Sequence, residues 1–576
     1  MAFNTNGGMK VEKDIMVPMR DGVKLAMDLY RPEQEGKYPA LLSVSGYGKD
    51  IMGPGIRLST EVPPTVESGH TERLVENGYV HVIGDVRGVG KSEGRYDMWG
   101  PAEQQDCSDL IEWIAQQPWC DGNVGMMGIS YFAMLQVPAA ALRPSHLRAI
   151  LPFEPAGADI YREWFYPGGI LNKFTVAWGP FVVAPELSSL SLDEFTAEEV
   201  RKKVETLREL PEYRDDSDIQ EILVDPNKNP IMFDALLHPE DGEFYRERSS
   251  STYYDQVELP TYFGSFWCVG LIDLLGAVHG FQHVKSQHKK LIIGPPVFPD
   301  RPHWQFHDEI LRWYGRWLKD ETTGIEEEPP VRLFVMGANR WREAQQWPVE
   351  GTRWMRFYLH ADRWLHEYPT IQEPQSTSFE YDPQGHASLF FESSVLIEDT
   401  EVTGPLSVFL SAACSEDDTA WVVSLYDVFP DGRRHFLSRG WLKASHRELD
   451  TERSTTWQPY HPHRNPQPLE PDRIYDYAIE MMPIANLFRA GHRIGLEIAC
   501  DDRGLVEGGR GWLASLFPAN PDRPTVDEMM MQRFYCQLAV DSRPKRLTIH
   551  HEDDHPSYLL LPILDGNILG TSSWMR

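Results

Sequence analysis

Gly125-Met126-Met127-Gly128-Ile129-Ser130-Tyr131 is the stretch on which the fold turns. Val124 to Ile129 is an apolar run of strand length, and Tyr131 to Leu142 has the spacing of a helix. The serine falls at the bend between them. A sharp strand-to-helix turn lifts a hydroxyl to the top of a parallel sheet, which is how α/β-hydrolase folds present a nucleophile. The competing reading is a serine that only caps a helix start. Pro138 inside the expected helix predicts a kink or a shortened helix, because proline removes a backbone donor.

The flanking sequence supports a parallel sheet. Val23, Leu25, Met27 and Leu29 alternate on one strand face, after the turn signal Asp21-Gly22. Ala40 to Ser45 and Tyr79 to Gly84 are continuous apolar runs, as strands buried on both faces should be. Asp109 to Gln117 has helical spacing, and Ala149 to Phe153 is a strand again. Strands alternating with helices mean βαβ units. From about residue 155 strand signal fades, and Thr196-Ala197-Glu198-Glu199 forms a capping box that opens a helix. Tyr262 to Trp267 and Lys290 to Gly294 return to buried strand, and Asp308 to Leu318 is an amphipathic helix. After Pro329-Pro330 come short strands and turns: Val331 to Val335, Trp354 to Leu359, Leu406 to Leu410, Trp421 to Tyr426, Ile479 to Met482 and Ile494 to Ile498. That texture is all-β, a sandwich or jelly roll.

The chain has 576 residues and a formal charge of −31, with 24% charged and 41% hydrophobic residues. Such acidity argues against nucleic acid and against anionic membranes, which need clustered Lys and Arg. Six cysteines, at 107, 120, 268, 414, 500 and 536, form no close-spaced pair, so neither a zinc site nor a redox motif is expected. Met1 to Lys13 is polar, without the apolar core of a secretory signal, and no apolar run has membrane-spanning length. A cytoplasmic protein is the expectation.

Several motifs together resemble the CocE/NonD family of α/β-hydrolases, the group of the bacterial cocaine esterases, related to the X-Pro dipeptidyl peptidases. They are Met19-Arg20-Asp21-Gly22-Val23-Lys24-Leu25, the run from Asp85 to Gly94 (DVRGVGKSEG), Gln117-Pro118-Trp119-Cys120-Asp121-Gly122 and Gly128-Ile129-Ser130-Tyr131. Arg312-Trp313, Trp317-Leu318-Lys319 and Gly491-His492-Arg493-Ile494 extend the likeness along nearly the whole chain. The resemblance implies an α/β-hydrolase domain in two parts (1–154 and 256–325), an inserted helical cap (155–255) and a C-terminal jelly-roll β-sandwich (326–576). It implies hydrolysis of esters or amides by a Ser-Asp-His triad, without a cofactor or a metal. It also implies a second oxyanion donor, the hydroxyl of Tyr47, beside the backbone N–H of Tyr131. By itself Tyr47 reads as a packing aromatic next to a glycine turn; beside Ser130 it reads as the donor.

Two departures from that pattern concern the base and the acid. Where the family places its histidine, after Gly294-Pro295, this chain has Phe298, and a phenyl ring cannot take a proton. The expected carboxylate is missing from Phe266-Trp267-Cys268-Val269, and the nearest is Asp273. Two readings compete. In one, a longer loop returns His303 to Ser130, with Asp273 behind it, in the chain order Ser, Asp, His. In the other, the triad is dismantled and the scaffold carries out non-hydrolytic chemistry on a small molecule, such as cyclisation, rearrangement or acyl transfer. His279, His283 and His307 are further candidates for the base, each otherwise a surface or helix-face histidine.

Other motifs give less. Gly88-Val89-Gly90-Lys91-Ser92 fails the P-loop spacing. His550-His551-Glu552-Asp553-Asp554-His555 and His461-Pro462-His463 read as turns or loops without defined ligand spacing. Asp159 to Tyr166 (DIYREWFY) offers aromatics for an apolar pocket or for a cap core. The expected partner is a small-molecule substrate, with a homodimer possible; a carbohydrate-binding β-sandwich is a third class, resting on the C-terminal texture alone.

Overall fold

A computed structural model of the chain describes residues 8–53, 67–155, 157–179, 182, 184–267, 270–296, 306–369, 375–383, 385, 387–501 and 538–564. The first hairpin joins β1 (Met9–Pro18) to β2 (Lys24–Pro32), and Gly22 makes the turn at φ +89°. The buried apolar runs become β3 (Tyr38–Ser45), β4 (Val80–Asp85), β5 (Cys120–Ile129) and β6 (Leu147–Phe153). After the cap follow β7 (Thr261–Phe266) and β8 (Lys289–Gly294). From β4 to β8 neighbouring strands pair in parallel, so their C-terminal ends all lie along one edge. A site at that edge draws on the loops after each strand, the general place for ligands in open α/β sheets.

Helices cover the sheet: α1 (Thr71–Glu76), α2 (Pro101–Ala115), α3 (Tyr131–Met134) and α4 (Gln136–Ala141). The expected helix after Ser130 breaks at Leu135 and divides into α3 and α4; Pro138 has no N–H to give the Met134 carbonyl four residues back. The helix expected over 109–117 starts earlier, at Pro101, where proline suits a first turn that needs no donor.

The cap is helical, with α5 (Phe174–Trp178), α6 (Ser191–Glu194), α7 (Ala197–Glu209), α8 (Ser217–Val224), α9 (Pro230–Leu237) and α10 (Glu243–Arg246). The capping box on α7 forms: Glu199 N–H donates to Thr196 Oγ1 at 3.4 Å and Thr196 N–H to Glu199 Oε2 at 2.8 Å. After the cap, α11 (Leu275–His283) precedes β8, and α12 (His307–Lys319) follows it.

The sheet runs further along the chain than its sequence texture indicates. Val331–Val335 (β9) pairs in parallel with β8, and Arg340–Ala344 (β10) completes a ten-stranded sheet. Trp267 Nε1–H donates to the Phe334 carbonyl at 2.6 Å and ties β9 to the end of β7. A short alternating strand does not carry in its own sequence which edge it will join, and this one extends the hydrolase sheet.

The remaining strands form a second, barrel-like sheet. They are β11 (Thr352–Leu359), β12 (Trp364–His366), β13 (Ser376–Tyr381), β14 (Ser388–Ser393), β15 (Thr400–Cys414), β16 (Ala420–Val428), β17 (Arg434–Lys443), β18 (Tyr475–Phe488), β19 (Arg493–Ala499), β20 (Lys545–His550) and β21 (Tyr558–Leu564). The order β15-β18-β17-β16-β19-β14-β12-β11-β21 closes on itself, because β15 also pairs with β21. Closure leaves β13, which pairs with β20 alone, as the edge strand outside the ring.

Cap and barrel are locked together. Arg162 of the cap donates to the His461 carbonyl at 2.7 Å and pairs with Asp159 and Asp241, stacking over Tyr460. Asp241 N–H donates to the His463 carbonyl at 3.1 Å, and Lys443 Nζ meets Glu212 Oε1 at 2.6 Å. Gly168 lies so close to β17 that a Cβ there would stand 2.1 Å from the Trp441 carbonyl oxygen. The loop expected at His461-Pro462-His463 is therefore a buried joint rather than a solvated turn. Among the described residues no helix is long and apolar enough to cross a membrane.

Candidate active site

Ser130 sits between β5 and α3 with φ +54° and ψ −117°, a conformation that non-glycine residues adopt at a cost of about 1–3 kcal/mol. The bend is held on both sides. Ser130 N–H donates to the Phe153 carbonyl at 3.1 Å, and its own carbonyl accepts from Ala133 N–H at 2.8 Å. Ile129 N–H donates to the Glu67 carbonyl at 2.9 Å. Gly128 is needed because a Cβ there would lie 2.2 Å from Phe132 Cβ. The side chain of Ser130 is half-buried at the C-terminal edge of the sheet. Tyr131 opens α3, so its N–H has no intrahelical acceptor and is available to a developing oxyanion.

Tyr47 arrives from the end of β3. Tyr47 N–H donates to Ser45 Oγ at 3.2 Å, and Gly46 lets the loop lie on Tyr131, whose Cε2 would be 3.0 Å from an added Cβ. The Tyr47 ring meets Tyr131 edge-on at 5.6 Å. Its phenol is held well above the usual tyrosine range. Burial is the main cause, the Glu67 charge adds to it, and hydrogen bonding from Trp178 and Ser130 acts against it. The hydroxyl therefore stays protonated and is a donor at any working pH. These contacts bring Ser130, Tyr47 and Tyr131 together.

The loop carrying Tyr47 is anchored by Asp85 at the end of β4. Lys49 N–H donates to Asp85 Oδ1 at 2.5 Å and Lys91 N–H to Oδ2 at 3.3 Å. Gly90, at φ +55°, would place a Cβ 2.3 Å from that carboxylate. The glycine-rich run therefore wraps an aspartate, which accounts for its imperfect likeness to a phosphate loop. Burial raises the Asp85 pKa from 3.8 to about 6, against the two backbone N–H groups. The folded protein thus binds more protons than the unfolded chain between about pH 4 and pH 6, and Asp85 makes stability fall as pH rises through that window. At about 1.4 kcal/mol per unit the effect is on the order of 3 kcal/mol. Thermal melts of Asp85→Asn against wild type should show the wild-type advantage growing by that amount from pH 6.5 to pH 3.5; a constant difference would refute it.

Asp273 lies in the π-helical turn Gly270–Leu274 after β7 and is 4% exposed. Its charge acts on the Tyr47 phenol less than any of the influences above. Two carboxylates that sequence reasoning missed also stand here. Glu67 acts on Tyr47 more strongly than Asp273 does. Glu154 follows β6 directly, at φ +47° and 1% exposed, with its N–H on the Gly264 carbonyl at 2.7 Å. Its place one residue past a strand end was the available signal; Glu67 had none.

Phe298 and His303 lie outside the described residues. Among the described residues no histidine hydrogen-bonds the Ser130 hydroxyl. His279 Nδ1–H donates to Glu163 Oε1 at 2.9 Å, while Gln458 Nε2–H donates to its other nitrogen at 2.9 Å and to Glu480 Oε1 at 3.0 Å. His279 therefore serves a network joining cap and barrel. His283 stacks on Tyr254 with ring centres 6.3 Å apart. His307 begins α12 beside His70, and burial lowers its pKa to about 4.

Aromatic side chains of the cap, with Trp99 from the loop before α2, pack over Ser130's neighbour Tyr131. Trp178 stacks on Tyr131 at 6.3 Å, and Trp99 and Trp164 pack against Trp178 at 5.9 and 5.1 Å. The stretch Asp159 to Tyr166 contributes Trp164 to this cluster and Arg162 to the barrel joint, so it is cap core as well as site wall.

Comparisons with known proteins agree with this architecture. Residues 21–297 match the model of the X-Pro dipeptidyl-peptidase (S15 family), and residues 323–560 match that of the X-Pro dipeptidyl-peptidase C-terminal non-catalytic domain. The chain is 29% identical to cocaine esterase from Rhodococcus sp. (strain MB1 Bresler), over 97% of this chain and 99% of that protein. It is also 29% identical to a putative serine esterase of Mycobacterium tuberculosis (strain CDC 1551 / Oshkosh), over 84% of this chain and 90% of that one. A CocE/NonD family hydrolase from Staphylococcus aureus shares the fold, with a TM-score of 0.77 at 24% identity over 96% of this chain and 94% of that one. So does an α-amino acid ester hydrolase, with a TM-score of 0.72 at 19% identity over 98% of both chains.

Proposed function

The chain belongs to the S15/CocE family of hydrolases, a family of esterases and peptidases, and on that premise we propose that it cleaves an ester or amide of a small organic substrate through an acyl-enzyme on Ser130. The observation that carries this reading is Ser130 at φ +54° on its strand-to-helix elbow, beside the protonated phenol of Tyr47. Ser130 Oγ attacks the acyl carbon. Tyr47 O–H and Tyr131 N–H hold the oxyanion, where fixed donors in a water-poor site are worth most. A histidine takes the serine proton and returns it to the leaving group; His303 fills that role, with Asp273 orienting it. Water then hydrolyses the ester on Ser130. The aromatic wall of the cap suits a substrate with apolar groups. Relatives named as esterases and peptidases do not favour the non-hydrolytic alternative.

A fluorophosphonate probe tests the nucleophile directly. Intact-protein and peptide mass spectrometry should find one adduct, on Ser130; a protein that hydrolyses esters without that adduct would sink the proposal. Tyr47→Phe removes one oxyanion donor and keeps the ring. It should lower kcat about 10²–10³-fold while KM stays nearly constant. A change confined to KM would instead make Tyr47 a binding residue.

A further inference from the structure

The indole of Trp178 touches the Tyr47 hydroxyl from the cap side, a contact with no local sequence signal. Trp178 is the last residue of α5 and is 4% exposed. Its Nε1–H donates to the Tyr47 hydroxyl oxygen at 3.0 Å, within buried surroundings. An indole is a donor only, so it cannot accept a proton from the phenol. Tyr47 must therefore accept from Trp178 and send its own proton elsewhere. The hydroxyl of Ser130 is a hydrogen-bonding neighbour of the same phenol.

The indole is fixed in place. It stacks on Tyr131 with an interplanar angle of 20° and meets the Tyr47 ring at 77°. Trp99 and Trp164 press on it, and Trp164 Nε1–H holds Thr175 Oγ1 at 3.1 Å one turn back along α5. Asn229 of α9 donates to the Thr175 carbonyl at 2.8 Å, and Gly179 fits against that asparagine with room for no Cβ, which would lie 2.7 Å away. The cap thus presents one rigid N–H to the phenol.

We infer that Trp178 is a positioning residue: its indole N–H turns the Tyr47 hydroxyl toward the oxyanion and strengthens it as a donor. A hydrogen bond accepted by a hydroxyl polarises the one that the hydroxyl donates. The gain appears when negative charge develops on the substrate oxygen, so it is a transition-state effect and belongs in kcat. The inference rests on the serine-hydrolase reading above, and it makes the cap part of the chemistry as well as a cover.

The test replaces Trp178 with benzothienylalanine, which keeps the bicyclic ring and removes only the N–H, in the full chain. Hydrolysis of a p-nitrophenyl ester should show kcat about tenfold lower with KM within twofold. In a Tyr47→Phe background the same replacement should cost nothing further, because the phenol it acts on is gone. Trp178→Phe should give the same kcat loss, with KM free to change through the smaller ring. An unchanged kcat in the isosteric variant overturns the inference, as does an equal loss persisting without Tyr47, which is what a packing role would produce. Fluorophosphonate labelling separates the two levels. Absence of a wild-type adduct on Ser130 overturns both the hydrolase mechanism and this role; a normal adduct with an unaffected isostere overturns the role of Trp178 alone.

Discussion

Ser130→Ala is expected to lower kcat by about six orders of magnitude on any ester the protein hydrolyses. Removing the nucleophile leaves only the oxyanion donors and binding, which retain about 10³–10⁴ over the uncatalysed reaction. The variant is a clean one. Alanine keeps the Cβ and hence the same unfavourable φ of +54°, so the folded structure should not relax. The carbonyl and amide bonds that hold the bend, to Phe153 and Ala133, do not involve the hydroxyl. The melting temperature should therefore stay near that of wild type while turnover disappears. Stopped-flow hydrolysis of p-nitrophenyl acetate gives the burst that reports acylation. A variant retaining more than a tenth of wild-type turnover would remove Ser130 from the chemistry.

Asp273→Asn is expected to cost about 10⁴ in kcat at neutral pH, the penalty when a histidine base loses the carboxylate that fixes its tautomer. Three facts support Asp273 as the proposed orienting carboxylate: it is 4% exposed, it follows β7, and its charge is felt at the Tyr47 phenol. Asparagine has nearly the same shape, so the loss reports charge and proton position rather than packing. Glu154→Gln is the control. It alters the buried carboxylate at the end of the neighbouring strand, and in the proposed arrangement it should leave kcat within about tenfold of wild type. If Glu154→Gln abolished turnover and Asp273→Asn did not, the orienting carboxylate would belong after β6. Rate against pH separates the cases, because loss of the acid shifts the limb set by the base as well as its height.

The sheet was readable because strands buried on both faces carry continuous apolar runs, and ALLSVS, YVHVIG and KLIIG each became a strand of it. Ser130 was readable because a glycine two residues ahead is demanded by Phe132. What escaped was whatever depends on distant pairing. The bond from Trp178 to Tyr47 spans 131 positions, and no local pattern marks either end of it. Val331–Val335 has the short alternating form of an edge strand wherever it lands, so its place beside β8 had to be seen. Glu67 reaches the site from a segment whose backbone supports the elbow, and its residue type gave no hint of that. His461 lies in a loop, as its sequence suggests, but nothing local shows that its carbonyl holds the cap's arginine. Polar residues at joints look like polar residues at surfaces until the partner surface is known.

Arg162 belongs to the clasp between cap and barrel. Arg162 is fastened to carboxylates on one side and to the barrel backbone on the other, and freeing such a buried cation costs about 3–5 kcal/mol. The cap is tied to the barrel at this joint. Arg162 thus carries both the internal ties of the cap and its bond to the barrel backbone, and a change at this one side chain loosens two parts of the molecule at once.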